Sequence, residues 1–232
     1  TPRGFHWILT EDLCVPLAFY PKFANDPDRT EKVPCPTHAE EIKFFLKWSG
    51  YLGLVGTVRL GGDIVLVTCS KNSVTNPHAK RLDAMVRKWM TWDLACHLAD
   101  KKLSLAFEVM AKWDSTHGAR VLRNAMVLTC VASPDKADDE LRSYRPHYYP
   151  LEDVLGFAKE WGVPHTDLFI VLGKDACHRF SEMLHRIRDQ ADLDAFYAMC
   201  EKVGVSVQTG SVRHEDVLGS CLEGLVAHYN DA

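Results

Sequence analysis

The residue in this sequence whose type and position best suit a catalytic role is a lysine at the end of an alternating apolar segment. Residues 42–50 read IKFFLKWSG, and alternation at period two predicts a strand that turns Ile42, Phe44 and Leu46 to one face. The strand then delivers Lys47 to a turn that contains Gly50. A neutral lysine amine there could attack the α-phosphate of a nucleotide if partial burial or nearby positive charge lowers its pKa. Lys47 is therefore the candidate nucleophile, although exposed strand ends also carry the Lys-x-x-Gly pattern.

The elements that must position this lysine are short strands interleaved irregularly with helices. Runs of β-branched and aromatic residues predict strands at about 42–47, 52–59, 63–69, 103–110, 125–132, 167–172 and 222–228. Helical periodicity is found from Pro77 to about Ala99, from Leu151 to Trp161 and from Lys174 to Val203. Because regular β-α-β units are not visible, the predicted fold class is α+β, with antiparallel sheets flanked by helices.

Two of these helical segments carry more specific predictions. In the first, apolar residues at three- and four-residue spacing predict one core-facing stripe, made of Leu82, Met85, Val86, Trp89, Trp92 and Cys96. The third, residues 174–203, is predicted to be two helices broken near 189–192 and to form a small helical insertion in a single domain that spans residues 1–232.

Composition and charge restrict the class of protein. With 232 residues and 47% hydrophobic content, the chain can bury a substantial core, and no apolar run is long enough to cross a membrane. A formal net charge of −4 argues against a protein that coats nucleic acid by bulk attraction, but local basic patches remain possible. Because the chain does not begin with Met, we expect it to be a fragment of a longer protein.

The eight cysteines are scattered, without a Cys-x-x-Cys pair or a histidine at zinc-finger spacing. Several of them, among them Cys69, Cys96 and Cys130, lie in apolar runs. This pattern predicts reduced thiols that serve as small core residues, in a protein of nuclear or cytoplasmic location.

Other segments follow in a fixed order around Lys47. They are Arg3-Gly4, Pro21-Lys22-Phe23-Ala24-Asn25, Cys69-Ser70-Lys71-Asn72-Ser73, Ala106-Phe107-Glu108-Val109 and Leu222-Glu223-Gly224-Leu225-Val226. In the order and the residues of these segments, the chain resembles the covalent nucleotidyltransferase superfamily of RNA and DNA ligases and capping enzymes. The resemblance is strongest to the branch of phage T4-type tRNA-repair RNA ligase and the ligase domain of fungal and plant tRNA ligases, and it implies a nucleotidyltransferase, ATP-grasp-like adenylation domain.

The resemblance implies a role for each basic residue that matches a motif. Lys47 would carry a lysyl-AMP intermediate, and Arg3, Lys22 and Lys71 would bind the triphosphate. Displacement of pyrophosphate requires positive charge near oxygens that gain charge in the transition state, which these side chains would supply. The same charges would lower the pKa of Lys47.

Two acidic residues complete the set that the resemblance implies. Glu108 would hold the ribose of the nucleotide, since a carboxylate can accept hydrogen bonds from both hydroxyl groups. Glu223 would support the catalytic divalent metal, Mg²⁺ or Mn²⁺, which is bound by oxygen ligands. Each carboxylate flanks or ends an apolar strand, where burial also favours a purely structural partner.

The implied activity is that of an ATP-dependent RNA ligase with three steps. Lys47 takes AMP from ATP, the AMP moves to an RNA 5′-phosphate, and a 3′-hydroxyl displaces it. The implied substrate is cleaved tRNA or another broken RNA with 5′-phosphate and 3′-OH ends, bound through basic residues of segment 80–102. End-healing kinase and phosphodiesterase domains, in the same or a partner polypeptide, would prepare these ends.

Two alternatives remain open on the sequence alone. A GTP-dependent mRNA-capping guanylyltransferase belongs to the same superfamily, and a non-catalytic RNA-binding protein could retain the fold. The chain also departs from the family pattern, because Ser49 replaces the usual Asp, Asn or His of the nucleophile motif. The paired lysines of the family's last motif are not found between Glu223 and Ala232, and we expect them further along a longer chain.

Overall fold

The computed structural model describes residues 6–9, 14–20, 39–114, 120–134, 146–187, 193–220 and 223–229. The strands in these ranges are, in chain order, β1 (His6–Leu9), β2 (Cys14–Leu17), β3 (Glu41–Leu46), β4 (Tyr51–Leu60), β5 (Asp63–Ser70), β6 (Ser104–Met110), β7 (Ala125–Pro134), β8 (Pro146–Tyr148), β9 (Leu168–Leu172), β10 (Ser206–Gln208) and β11 (Leu225–Tyr229). The helices are α1 (Pro77–Val86), α2 (Trp92–Lys101), α3 (Leu151–Trp161), α4 (Lys174–Ile187), α5 (Leu193–Val203) and α6 (His214–Leu218). Among the helices so described, none is long and apolar enough to span a membrane.

The chain divides into two compact units, each made of three segments. The first unit comprises Thr1–Phe23, Gly50–Val109 and Met126–His165, and the second comprises Ala24–Ser49, Met110–Ala125 and Thr166–Ala232. Each unit is organised around one antiparallel sheet with helices against it, as the α+β prediction requires.

The first unit contains a five-stranded sheet in the order β5-β4-β6-β7-β8. The central strand β4 pairs antiparallel with both β5 and β6, and Leu54, Cys69 and Ala106 from these three strands are fully buried. Helices α1 and α2 pack against β4 and β5. The hydroxyl of Thr57 on β4 donates to the carbonyl oxygen of Ala95 on α2 at 2.6 Å, which satisfies a polar group in a buried position.

The single helical stripe predicted between Pro77 and Ala99 is wrong at Trp92. The structure ends α1 at Val86 and begins α2 after a new N-cap, Thr91, whose side chain accepts a hydrogen bond from the Leu94 backbone at 3.2 Å. A new cap restarts the helical phase, so the buried residues of α2 are Leu94, Ala95, Leu98 and Ala99. The Trp92 side chain is 63% exposed.

The second unit contains a four-stranded sheet in the order β10-β9-β3-β11. Its core is an aromatic cluster to which four elements contribute: the ring of Phe44 (β3) stacks on Phe169 (β9) and on Phe180 (α4), with centroids 4.9 Å apart in each pair. The ring of Phe196 (α5) lies edge-on to Phe44 at 6.0 Å. Aromatic pairs of this kind contribute about 0.5–1.5 kcal/mol each beyond the area they bury.

The two helices predicted in residues 174–203 are present: α4 ends at Ile187 and α5 begins at Leu193. Because both helices supply buried residues to the core that contains β3 and β9, they cover one side of that sheet. Their status as an insertion remains a prediction.

The seven strands predicted from the sequence are confirmed as β3, β4, β5, β6, β7, β9 and β11, with ends that coincide or differ by at most three residues. The sequence analysis missed β1, β2, β8, β10 and the five-residue helix α6. These elements are three to five residues long, too short for periodicity to distinguish them from loops, and pairing with a neighbour stabilises the strands among them.

The prediction of cysteines as small core residues is confirmed for four side chains, Cys69, Cys130, Cys177 and Cys200, which are buried and not in disulfides. Cys96 on α2 is also not in a disulfide but is only partly buried. Burial raises the pKa of Cys69 to about 11 and that of Cys200 to about 12, because the thiolate is disfavoured away from water. Cys35 and Cys221 lie outside the described residues.

The packing of α1 on β4 depends on the absence of a side chain at Gly53. A Cβ atom there would lie 2.8 Å from Leu82 and 3.0 Å from Val109. We therefore expect Gly53→Val to lower the free energy of unfolding by about 1–3 kcal/mol, since the added methyl groups overpack a filled core. Chemical denaturation would measure this, with Gly62→Val as the control, because Gly62 has no atom within 4 Å of such a Cβ. Equal stability of the two variants would contradict the prediction.

Candidate active site

Lys47 lies immediately after β3, where the sequence analysis placed it, and it has two contacts with the segment that leads into β11. Its backbone N–H donates to the carbonyl oxygen of Gly224 at 2.8 Å. Its side-chain amine forms an ion pair with the carboxylate of Glu223. The side chains of Lys47 and Glu223 are 44% and 38% exposed, so solvent and ligands can reach the pair. An exposed pair of this kind contributes about 0–1 kcal/mol to stability.

The pairing of β3 with β11 explains why two residues so distant in sequence meet. The strands are antiparallel, with Leu46 opposite Leu225 and Ile42 opposite Tyr229. In this register the residue that follows β3 lies beside the residues that precede β11. Gly224 adopts φ 157°, a conformation open to glycine but rarely to other residues, and it directly follows Glu223.

Trp48, the residue after Lys47, is anchored by two side chains that the sequence analysis did not select. Its indole N–H donates to the hydroxyl oxygen of Thr166 at 3.1 Å. Its ring lies against the imidazole of His214, with centroids 4.8 Å apart and planes inclined by 52°. No local pattern indicated these contacts, because Thr166 is 118 positions from Trp48 in the chain and both partners look like ordinary core or turn residues.

His214 is buried at the start of α6. Burial lowers the pKa of this imidazole below its usual value, because the charged form is disfavoured away from water. The carboxylate of Glu215 and the backbone at Gly219 oppose this effect but do not reverse it. The neutral form therefore faces Trp48 at neutral pH.

Glu108, predicted to hold a ribose, lies on β6 in the first unit and is partly buried. Its Oε1 accepts a hydrogen bond from the backbone N–H of Gly50 at 3.0 Å. Gly50 begins the second segment of that unit and closes the turn that follows Lys47 in the sequence. Glu108 thus holds the backbone of the nucleophile motif at its glycine, and its ribose contact remains a prediction.

Lys71, predicted to bind phosphate, is exposed on a tight turn that follows β5. The backbone N–H of Ser70 donates to the carbonyl oxygen of Ser73 at 2.8 Å, and the amide of Asn76 donates to the Ser70 hydroxyl at 2.9 Å. Asn76 also caps α1 by accepting from the Ala79 backbone at 2.9 Å. These bonds fix the backbone on both sides of Lys71. Arg3 and Lys22, the other predicted phosphate ligands, lie outside the described residues.

The predicted divalent metal can be tested against the carboxylates that the structure places near Lys47. Within the described residues, no group of three or more His, Cys, Asp or Glu side chains could hold a metal ion. Mg²⁺, however, is usually bound through one or two carboxylates together with water and substrate phosphates. Glu223, exposed and beside Lys47, fits a metal held in this way.

Comparison with solved structures identifies proteins of the same fold. An archaeal ATP-dependent RNA ligase, form 1, superposes with a TM-score of 0.57 at 12% identity over 82% of this chain and 47% of that chain. Form 2 gives 0.55 at 14% identity, over 82% of this chain and 46% of that chain. The chain therefore shares the fold of these proteins and spans about half of their length. Comparisons with models of protein families and with curated proteins find no match.

The lowered pKa of His214 predicts a pH-dependent contribution to stability. The unfolded chain binds a proton at His214 before the folded chain does, so folding is destabilised as the pH falls below about 6.5 and unaffected above it. We expect wild type to lose more free energy of unfolding than His214→Phe between pH 7.5 and 5, as measured by urea denaturation. His178→Phe, which removes an exposed imidazole, should retain the His214 contribution. Parallel pH curves for wild type and His214→Phe would refute this.

Proposed function

We propose that this chain is the nucleotidyltransferase part of an ATP-dependent RNA ligase that works through a lysyl-AMP intermediate on Lys47. The observation that carries the proposal is the contact of Lys47 with Glu223 at the β3–β11 junction. It supports the proposal because the motifs that mark Lys47 as nucleophile and Glu223 as metal ligand lie 176 positions apart in the chain, and the fold brings the two side chains into contact. The fold shared with archaeal ATP-dependent RNA ligases agrees with it.

In the first proposed step, the Lys47 amine attacks the α-phosphorus of ATP. A P–N bond forms, the bond from that phosphorus to the pyrophosphate oxygen breaks, and the amine loses a proton. Glu223 is the carboxylate in contact with the amine, and as long as it faces Lys47 it favours the ammonium form. When bound at Glu223, a Mg²⁺ or Mn²⁺ ion would take up the charge of this carboxylate and stabilise charge that develops on the phosphate oxygens.

In the two following steps the AMP is passed to RNA and then released. An oxygen of the RNA 5′-phosphate attacks the phosphorus of lysyl-AMP, the P–N bond breaks, and the Lys47 amine is restored. The RNA 3′-hydroxyl then attacks the activated 5′-phosphorus, a phosphodiester forms, and AMP leaves. Lys71 on its fixed turn, with Arg3 and Lys22, is proposed to bind the phosphates in this sequence.

The RNA is proposed to lie along the basic residues of segment 80–102, which includes parts of α1 and α2 and the residues between and after them. Lys80, Lys88, Lys101 and Lys102 are exposed. In a chain of net charge −4, such a patch provides local phosphate contacts, which position RNA without reading its sequence. Cleaved tRNA is the proposed substrate, with its ends prepared by end-healing kinase and phosphodiesterase domains and its repair in the nucleus or cytoplasm. Motif resemblance to the tRNA ligase branch supports this part.

The first experiment is covalent labelling of the full-length protein. We expect incubation with labelled ATP and a divalent metal to yield a species heavier by one AMP, detected by mass spectrometry, and Lys47→Ala to abolish it. Lys43→Ala is the matched control, because Lys43 lies on β3, the strand that leads to Lys47, and pairs with Glu41 at 2.7 Å. Labelling by GTP instead of ATP would favour a capping guanylyltransferase. Labelling by neither nucleotide would reject catalysis and favour a non-catalytic RNA-binding protein.

The second experiment tests Glu223 as the metal ligand. Glu223→Gln retains the size of the side chain but removes its charge, so we expect the Mg²⁺ concentration for half-maximal adenylation to rise at least roughly tenfold. Rates of lysyl-AMP formation across a Mg²⁺ titration would measure this. Glu41→Gln, which removes the partner of Lys43, serves as the control. An unchanged Mg²⁺ dependence in Glu223→Gln would exclude the assigned role.

A further inference from the structure

The residue after the proposed nucleophile is held more firmly than the nucleophile itself. The Trp48 side chain is 3% exposed, whereas that of Lys47 is 44% exposed. Lys47 and Trp48 follow the last residue of β3 and share one planar peptide bond, so fixing Trp48 restricts the orientations that the backbone of Lys47 can adopt. Contacts of Trp48 therefore affect where the Lys47 amine can reach.

Thr166 supplies the polar contact of Trp48. Its hydroxyl oxygen accepts the indole N–H at 3.1 Å, and both side chains are buried. A hydrogen bond of this kind contributes about 1 kcal/mol, and leaving the indole N–H buried without a partner costs about 1–3 kcal/mol. The bond also selects one orientation of the indole ring, which apolar packing alone would not require.

His214 supplies the ring contact, and it lies on a segment that also contacts Lys47. His214 opens α6, and its imidazole packs on the indole of Trp48. Further along the same segment, Glu223 pairs with the Lys47 amine and the Gly224 carbonyl accepts its backbone N–H. One stretch of chain therefore contacts both Lys47 and Trp48.

The start of this segment is itself fixed within the second unit. The backbone N–H of Leu122 donates to the carbonyl oxygen of Val217 at 2.7 Å. Asp216 forms ion pairs with Arg213 at 2.9 Å and with Arg123 at 3.6 Å. His214 is therefore presented to Trp48 by a helix that other contacts hold in place.

From these contacts we infer that Thr166 and His214 are positioning residues, which orient the Lys47 amine for attack by fixing the indole of Trp48. The inference deepens the proposed function and rests on it. Both side chains are buried and contact Trp48, so we expect them to affect the geometry of attack and not the affinity for the nucleotide. A displacement of about 1 Å at a reacting group can reduce a rate by up to about a hundredfold.

A matched pair of substitutions tests Thr166. Thr166→Val retains the shape of the side chain and removes the acceptor, whereas Thr166→Ser retains the acceptor. We expect Thr166→Val to lower the maximal rate of lysyl-AMP formation roughly tenfold, with the KM for ATP unchanged, and Thr166→Ser to remain within about twofold of wild type. Rates are measured at least 10 °C below the melting temperature of each variant, so that unfolding does not contribute.

A second pair tests His214. His214→Phe keeps an aromatic ring against Trp48 and should retain most of the rate, whereas His214→Ala removes the ring and should lower the maximal rate roughly tenfold. If Thr166→Val and His214→Ala lower the melting temperature but adenylate at the wild-type rate, their role is structural and the inference is overturned. A raised KM with an unchanged maximal rate would overturn it as well.

Hydrogen exchange separates failure of the inference from failure of the proposed function. The Lys47 amide, which donates to Gly224, should exchange faster in Thr166→Val than in Thr166→Ser, without any nucleotide present. If wild type forms no lysyl-AMP, the proposed function fails and the catalytic part of the inference fails with it, whatever the exchange shows. If wild type is adenylated and the Lys47 amide exchanges equally in both variants, only the inference fails.

Discussion

The antiparallel pairing of β3 with β11 is the constraint on which the candidate site depends. In the register that places Leu46 opposite Leu225, the end of one strand meets the start of the other, and Lys47 contacts Glu223 and Gly224. Because side chains alternate along a strand, a slip of one residue would turn the buried face of β3 to the other side of the sheet. The site therefore depends on a register that burial of Ile42, Phe44 and Leu46 specifies.

The interactions that stabilise the fold around the site differ from those that could take part in its chemistry. The aromatic cluster around Phe44 draws on β3, β9, α4 and α5, and such burial is the main favourable term in folding. The ion pair of Lys47 and Glu223 is exposed and contributes little to stability. Replacing this pair should therefore affect the proposed reaction much more than the fold, which makes the two effects separable.

The motif residues are held mainly by backbone and turn interactions, and the charged groups stay accessible. Glu108 accepts the N–H of Gly50, and the Ser70–Ser73 turn holds the backbone on which Lys71 lies. Trp48, between the nucleophile and its glycine, is buried against His214 and hydrogen-bonded to Thr166. Under the proposed function, Lys47 would exchange its carboxylate partner for a phosphate, and the arrangement suits such an exchange because the backbone is held while the side chains of Lys47 and Glu223 stay accessible.

The sequence by itself was sufficient to predict the elements that are marked by patterns of a few neighbouring residues. Alternation predicted β3 and its buried face, short β-branched and aromatic runs predicted six further strands, and ordered motifs selected Lys47 and Glu223. It failed where the phase of a pattern is reset, as at Thr91, which leaves Trp92 exposed. Local signals suffice for these features because propensity and periodicity act over a few residues.

Only the tertiary structure decided which distant residues meet. It brought Glu223 to Lys47 through the β3–β11 register, and Thr166 and His214 to Trp48, although neither anchor carries a motif. It also formed β8, β10 and α6, which are too short to have a periodic signal. The physical reason is that burial and strand pairing are satisfied over the whole folded chain at once, so contacts between residues more than a hundred positions apart leave no trace in local sequence.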